Sequence, residues 1–263
     1  GLKNNTREYT SIDLNRIYNE DCLTTLDKID DGFLDLTVTS VPYNVDLGNN
    51  KFNKNPYDLY VDNKEHIEYI SWLKNIFLKI FYKTKSGGRC VINIGDGKNG
   101  AVPTHVDIVQ FMKDIGWIPM TTIIWDKNNV SSRTAWGSWL SPSCPSFPTP
   151  FEYVLIFAKN TNKLQTKGET DLTKEEFINW SLAKWSFTGE NLKKLGHPAA
   201  FPIELPKRCI KMLSWIDAVV YDPFMGSGTT ALACKMFNRN FIGSEISKEY
   251  MELSERRIQE ILI

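Results

Sequence analysis

The chain has 263 residues, 42% of them hydrophobic, and its Lys+Arg and Asp+Glu counts are equal at 31. That length and apolar content exclude a disordered chain and suit one sizeable core with a small appended subdomain. The charge balance excludes a protein that is basic all over, so any nucleic-acid contact must come from a local basic surface. No apolar run is long enough to span a bilayer, and Gly1-Leu2-Lys3-Asn4-Asn5 lacks the shape of a signal peptide. Cys22, Cys90, Cys144, Cys209 and Cys234 are scattered and form no C-x-x-C pair, which predicts reduced thiols in the cytoplasm and no metal site.

Leu14 to Tyr18 predicts a short strand that ends near Asp21. Cys22 to Ile29 then has helical spacing, with Leu23, Leu26 and Ile29 on one face. Asp21 suits the N-cap of that helix, and it also stands at a strand's carboxyl end, where α/β sheets place ligands. Phe33 to Thr39 is a strong strand running into Ser40-Val41-Pro42-Tyr43-Asn44, an unusual ending where a plain turn would carry Gly or Asp. Val45 to Val61 is rich in Asn, Lys and Tyr, and loops of that length in compact domains are usually functional or mobile.

His66 to Phe81 predicts an amphipathic helix with Ile67, Ile70, Leu73, Phe77 and Ile80 facing the core. Gly87-Gly88 reads as a turn into a strand over Arg89 to Ile94; a helix over His105 to Ile115 and a strand over Trp117 to Trp125 follow. Periodicity is lost from Asp126 to Thr149, which reads as an ordered surface insertion containing Arg133, Trp136 and Trp139. Phe151 to Phe157 is a further strand, and Lys174 to Trp185 has helical spacing. Trp136, Trp139 and Trp180 are each suited to stacking on bases or to internal packing.

His197-Pro198-Ala199-Ala200-Phe201-Pro202 leads into a helix over Ile203 to Leu213. The strand Ala218 to Tyr221 then runs into Asp222-Pro223-Phe224-Met225-Gly226-Ser227-Gly228-Thr229, and Leu232 to Phe237 forms a helix behind it. A strand, a glycine turn and a helix N-terminus make a nucleotide site, because the glycines admit a ligand to the backbone and the free N–H groups face it. Glu245, at the tip of the next strand, follows Gly226 by 19 residues, the spacing of a ribose-binding carboxylate. Gly226-x-Gly228-x-x-Ala231 by itself fits equally a dinucleotide fingerprint or a tight turn of any α/β protein. The chain closes with a helix over Lys248 to Ile261. Strands and helices alternate throughout, so the expected fold is α/β, a doubly wound, mostly parallel Rossmann-like sheet.

Taken together, these segments resemble the amino-methylating DNA methyltransferases of restriction–modification systems, in the permuted β class whose catalytic half comes first. The resemblance covers nearly the whole chain. It implies a catalytic half over 1–127, a target-recognition insertion over 128–196 and a cofactor half over 197–263. Ser40, Val41, Pro42 and Tyr43 resemble the family's catalytic (Ser/Asp)-Pro-Pro-Tyr tetrapeptide, with Val41 where the family has proline. Asp21 with Cys22 is similar to the segment that binds the adenine of S-adenosylmethionine, and Phe201 with Pro202 to the segment near its methionine end. Asp222, Phe224, Gly226, Gly228 and Thr229 are similar to the cofactor loop, and Glu245 to the ribose-binding acid. The implied partner is double-stranded DNA, contacted by Asn44, Lys51, Lys54, Arg133, Trp136 and Trp139. A homodimer and a cognate restriction endonuclease are further associations known in such systems.

The implied reaction moves a methyl group to an exocyclic amino nitrogen, cytosine N4 being favoured over adenine N6 by Ser40. That nitrogen's lone pair is delocalised into the ring. Acceptors such as the Ser40 hydroxyl and a Val41 carbonyl would hold both amino hydrogens and turn the lone pair toward the methyl group. The base must leave the duplex to be reached, and Tyr43 would stack on it. Two other readings compete. A nicotinamide-dependent oxidoreductase rests on the glycine pattern and Glu245, but too few residues follow Glu245 for a second mononucleotide half. A non-catalytic DNA-binding module rests on Val41, which restores a backbone N–H and loosens the φ that proline would fix.

Overall fold

The structure, a computed structural model, describes residues 12–42, 66–128, 137–189 and 201–261. The strands are β1 (Arg16–Tyr18), β2 (Leu34–Ser40), β3 (Thr84–Ile94), β4 (Trp117–Asp126), β5 (Phe151–Lys159), β6 (Lys184–Ser186), β7 (Val219–Asp222) and β8 (Asn240–Ser244). They form one sheet in the order β1-β8-β7-β2-β3-β5-β4-β6. β5 runs antiparallel to both its neighbours, and every other pairing is parallel. The α/β, doubly wound expectation holds.

The helices are α1 (Cys22–Asp27), α2 (His66–Lys83), α3 (Thr104–Ile115), α4 (Lys174–Trp180), α5 (Glu204–Leu213), α6 (Thr229–Met236) and α7 (Lys248–Glu260). Leu26, Leu73, Ile76, Phe77, Ile108 and Met112 of α1, α2 and α3 share one core layer with Ile92 and Tyr221 of the sheet. Leu205, Ile210, Ala231 and Cys234 of α5 and α6 share the other with Val38, Val91 and Val220. β2 and β7 are neighbours, yet α2 after β2 and α6 after β7 pack on opposite layers. A crevice therefore opens at the carboxyl ends of these two strands, the switch point at which such sheets bind ligands.

Several expectations need correction. Ile67 is 80% exposed, and the buried stripe of α2 is Tyr69, Leu73, Ile76, Phe77 and Ile80. Position 67 lies about 200° around the helix from 69, so the two cannot share a face. The helical spacing over Lys174 to Trp185 covers two elements. Thr173 opens α4 with a capping box, the helix stops at Trp180, and Trp185 sits in β6 opposite Trp125. Gly87 and Gly88 lie inside β3 rather than ahead of it, at a register shift between Leu34 and Leu36 of β2. The span 128–196 is not an appendage throughout, because β5 sits between β3 and β4 as a buried strand and β6 extends the sheet's edge. Among the described residues no helix is long and apolar enough to cross a membrane.

Candidate active site

The glycine turn is built by the residues around it. β7 is buried along its whole length and delivers Asp222 to the sheet's carboxyl edge. Asp222 accepts hydrogen bonds from the Thr39 hydroxyl of β2 at 2.6 Å, the Thr230 hydroxyl of α6 at 2.7 Å and the Phe224 N–H at 2.9 Å. One carboxylate thus ties two strands to the helix that follows the turn. Burial pushes its pKa up to about 6, against the three hydrogen bonds that favour the charge. Gly228 caps α6 at φ 85°, and a Cβ there would stand 2.7 Å from the Cβ of Ser254. Glycine is required there for backbone conformation and for space. The Ser254 hydroxyl donates to Gly226 O at 2.7 Å, and Arg257 donates to Ser227 O at 2.7 Å and to the Thr229 hydroxyl at 3.3 Å, so α7 clamps the turn from outside.

Glu245 closes the turn from β8. Its carboxylate accepts the Gly226 N–H and the Ser247 N–H, each at 2.9 Å, and the residue is 3% exposed. Burial raises its pKa to about 7, opposed by those two backbone donors. The Glu245 N–H donates to Tyr18 O, and the Asn19 amide donates to Glu245 O, which fastens the tip of β8 to the end of β1. Beyond β1, Asp21 is the N-cap of α1 and accepts from Leu23 N at 2.7 Å. Cys22 is buried behind it, its thiol pushed up to about 12 by burial.

These tips face one cleft, open to solvent and lined by Asp21, Cys22, Pro42, Trp72, Pro223, Phe224, Ser244, Glu245 and Ile246. The Phe224 ring lies 5.6 Å from Trp72 of α2, and the two form one wall; Tyr69 lies 6.3 Å from Trp72. Pro42 brings the end of β2 into the same cleft, and its carbonyl accepts a hydrogen bond from the Tyr69 hydroxyl. Ser40 is half-buried, whereas Val41 is 1% exposed in the core layer of α1, α2 and α3. The Val41 N–H, absent from a proline, donates to Asn93 O at 3.4 Å and carries the β2–β3 ladder past Ser40.

The structure thus gathers Asp21, Cys22, Pro42, Phe224 and Glu245 around one space, with Asp222, Gly226, Gly228 and Thr229 in the turn behind it. Phe201 and Pro202 are buried at the head of α5 and are not among the lining residues. Trp139 is 62% exposed on the surface loop after β4, whereas Trp180 is buried beneath Arg208 and Lys207. Tyr43, Asn44, Lys51, Lys54, Arg133, Trp136, His197 and Pro198 lie outside the described residues. Trp72 escaped the sequence reading. Its signal is an aromatic beside the buried stripe of α2, on the side that the strand ends face.

A crevice with a glycine turn, acidic strand tips and a Ser-x-Pro strand end belongs to a protein that pairs a nucleotide-like cofactor with a second substrate. The comparisons with known proteins make this specific. Residues 34–256 match the DNA methylase family of N6/N4 methyltransferases, and the chain belongs to that family. The type II methyltransferase M.MjaVI of Methanocaldococcus jannaschii is 41% identical over 164 residues, covering 62% of this chain and 80% of the relative. M.MjaI of the same organism is 31% identical over 268 residues, covering 89% of this chain and 88% of that one. A DNA modification methylase of Thermus thermophilus, solved in complex with S-adenosyl-L-methionine, superposes with a TM-score of 0.72 at 26% identity, covering 94% of each chain. The expectation of an S-adenosylmethionine-dependent DNA methyltransferase acting on a cytosine N4 or adenine N6 amino group is borne out.

Proposed function

We propose that this chain methylates the N4 amino group of a cytosine flipped out of double-stranded DNA. The observation that carries the reading is the shared cleft, in which Pro42, two residues beyond Ser40, lines the same space as Asp21 and Glu245. The donors and acceptors suit S-adenosylmethionine. Glu245 offers carboxylate lone pairs to ribose hydroxyls, Asp21 and Cys22 flank the base end, and Phe224 with Trp72 offers apolar faces. Asp222, Gly226, Gly228 and Thr229 shape the turn, and Phe201 shares a core layer with Met225 of that turn. When bound, the cofactor supplies an electrophilic methyl group.

The Ser40 hydroxyl and the Val41 carbonyl accept the two amino hydrogens of the target base. That favours a pyramidal nitrogen with its lone pair in line with the methyl group, and alignment of this kind supplies much of the rate. No strong base is needed beforehand, because the nitrogen becomes acidic once it carries the new methyl. The preference for cytosine over adenine follows the family resemblance, in which serine at the position of Ser40 goes with cytosine and a carboxylate with adenine. Tyr43 stacks on the flipped base, Asn44, Lys51, Lys54 and Arg133 contact the DNA, and Trp136 and Trp139 read its sequence from within 128–196. The chain works in the cytoplasm, beside a cognate nuclease in a restriction–modification pair, as a monomer or homodimer. Long-read sequencing of DNA from cells expressing the chain tests this. Modified cytosines at one recurrent site are expected, and DNA without any recurrent modified site would refute the reading.

A further inference from the structure

A row of polar side chains crosses four strands beside Ser40. Ser40 is in register with Asn93 on β3, and in-register neighbours of a parallel ladder present their side chains to the same face. Asn93 is 1% exposed, and its amide nitrogen donates to Glu152 Oε1 at 3.1 Å and to Tyr153 O at 3.1 Å. Glu152, 7% exposed on β5, is paired in turn with Lys127 at the end of β4, whose ammonium lies 5.4 Å above the Trp125 ring. The pair is half-buried, with the lysine side chain 35% and the glutamate side chain 9% exposed, and a pair of that kind adds little stability. Its persistence here needs another reason.

That reason lies in which way the Asn93 amide faces. A carboxylate and a backbone carbonyl can only accept, so the NH₂ group must face both of them. Both amide hydrogens are thereby spent. Oδ1 is left as an acceptor only, on a side chain that shares its face and register with Ser40. A serine that is to accept a hydrogen bond from a base must place its own proton elsewhere. A carboxylate at position 40 would have no proton to place. We infer that Asn93, locked by Glu152 and Lys127, is a positioning residue: once the target base is bound, its Oδ1 accepts the hydrogen bond of the Ser40 hydroxyl, a contact not made in this structure, and so turns the serine's lone pairs toward the target amino group. The inference rests on the role proposed for Ser40.

The test is single-turnover methyl transfer at saturating DNA and S-adenosylmethionine, with cofactor affinity measured alongside. Asn93→Leu keeps the side chain's size and loses the acceptor; it should slow transfer about 10- to 100-fold with cofactor affinity within about twofold of wild type. Asn93→Asp sets a carboxylate against Glu152 and should be slowed comparably. Adding Glu152→Gln restores a donor toward the new carboxylate and should bring the rate back to within about threefold of wild type, while giving no recovery to Asn93→Leu. A full-speed Asn93→Leu, an undamaged Asn93→Asp, recovery of both variants alike, recovery of neither, or a loss confined to cofactor binding would each overturn the inference. Should Asn93→Leu fail to fold, the comparison of Asn93→Asp with and without Glu152→Gln decides alone. A wild-type chain that transfers no methyl to DNA would instead remove the proposed function itself.

Discussion

The carboxylate of Glu245 makes cofactor binding depend on pH in a calculable way. In the cofactor-free protein, burial holds its pKa at about 7 against an ordinary 4.5. Ribose hydroxyls would donate to the ionised form and favour it, so the bound state carries the charge. Roughly nine-tenths of the free protein is protonated at Glu245 at pH 6 and about one-tenth at pH 8, so affinity should rise about tenfold over that interval, or about 1.4 kcal/mol. Binding at pH 6 should release close to one proton, which calorimetry in two buffers of different ionisation enthalpy measures directly. Glu245→Gln removes the titration; it also sets an amide against the Gly226 or Ser247 N–H, so it should bind weakly and with no pH dependence. Wild-type affinity that stays flat between pH 6 and 8, or an equal slope in Glu245→Gln, would refute the reasoning.

The same group sets the pH dependence of the free protein's stability. A carboxyl whose folded pKa lies above its unfolded one stabilises the fold at low pH, and that contribution is lost as pH rises from about 4.5 to about 7. The loss is on the order of 3 kcal/mol for Glu245, and Asp222 acts in the same direction up to about pH 6. Chemical denaturation across this range should show stability falling toward neutrality, with S-adenosylmethionine restoring it. Gly228→Ala must adopt φ 85° and press on Ser254, so it should cost about 2–4 kcal/mol by thermal melting and abolish cofactor binding. Thr37 is fully buried with an unpaired hydroxyl, so Thr37→Val should be neutral or stabilise by up to about 1 kcal/mol in denaturant titrations. Trp72→Ala opens one wall of the cleft and should weaken cofactor binding by about 1–2 kcal/mol in equilibrium titrations.

Much of this architecture is legible in the residues, for identifiable reasons. The turn from Asp222 to Gly228 could be read because positive φ at Gly226 and Gly228 demands glycine and because an acid follows at a fixed spacing. Asp21 was ambiguous between cap and ligand; the structure makes it the cap of α1 and also a wall of the cleft. What stayed hidden depends on contacts distant in sequence. Ile67 matched a helical period that α2 does not bury, since periodicity admits more than one face until the packing partners are known. The continuous spacing through Trp185 concealed the break after Trp180, because β6 is three residues long and is fixed only by pairing with β4. Trp72 and the Asn93–Glu152–Lys127 row carry no local signature, and their significance arises only when separate elements meet at the sheet's carboxyl edge.

The most direct measurement is the mass of the product. Duplex DNA incubated with the purified chain and S-adenosylmethionine, then digested to nucleosides, should contain N4-methyldeoxycytidine and lose that product with Ser40→Ala. N6-methyldeoxyadenosine in its place would contradict the choice of cytosine drawn from Ser40. Nucleosides without any added methyl group, from a protein shown to bind the cofactor, would contradict the account as a whole.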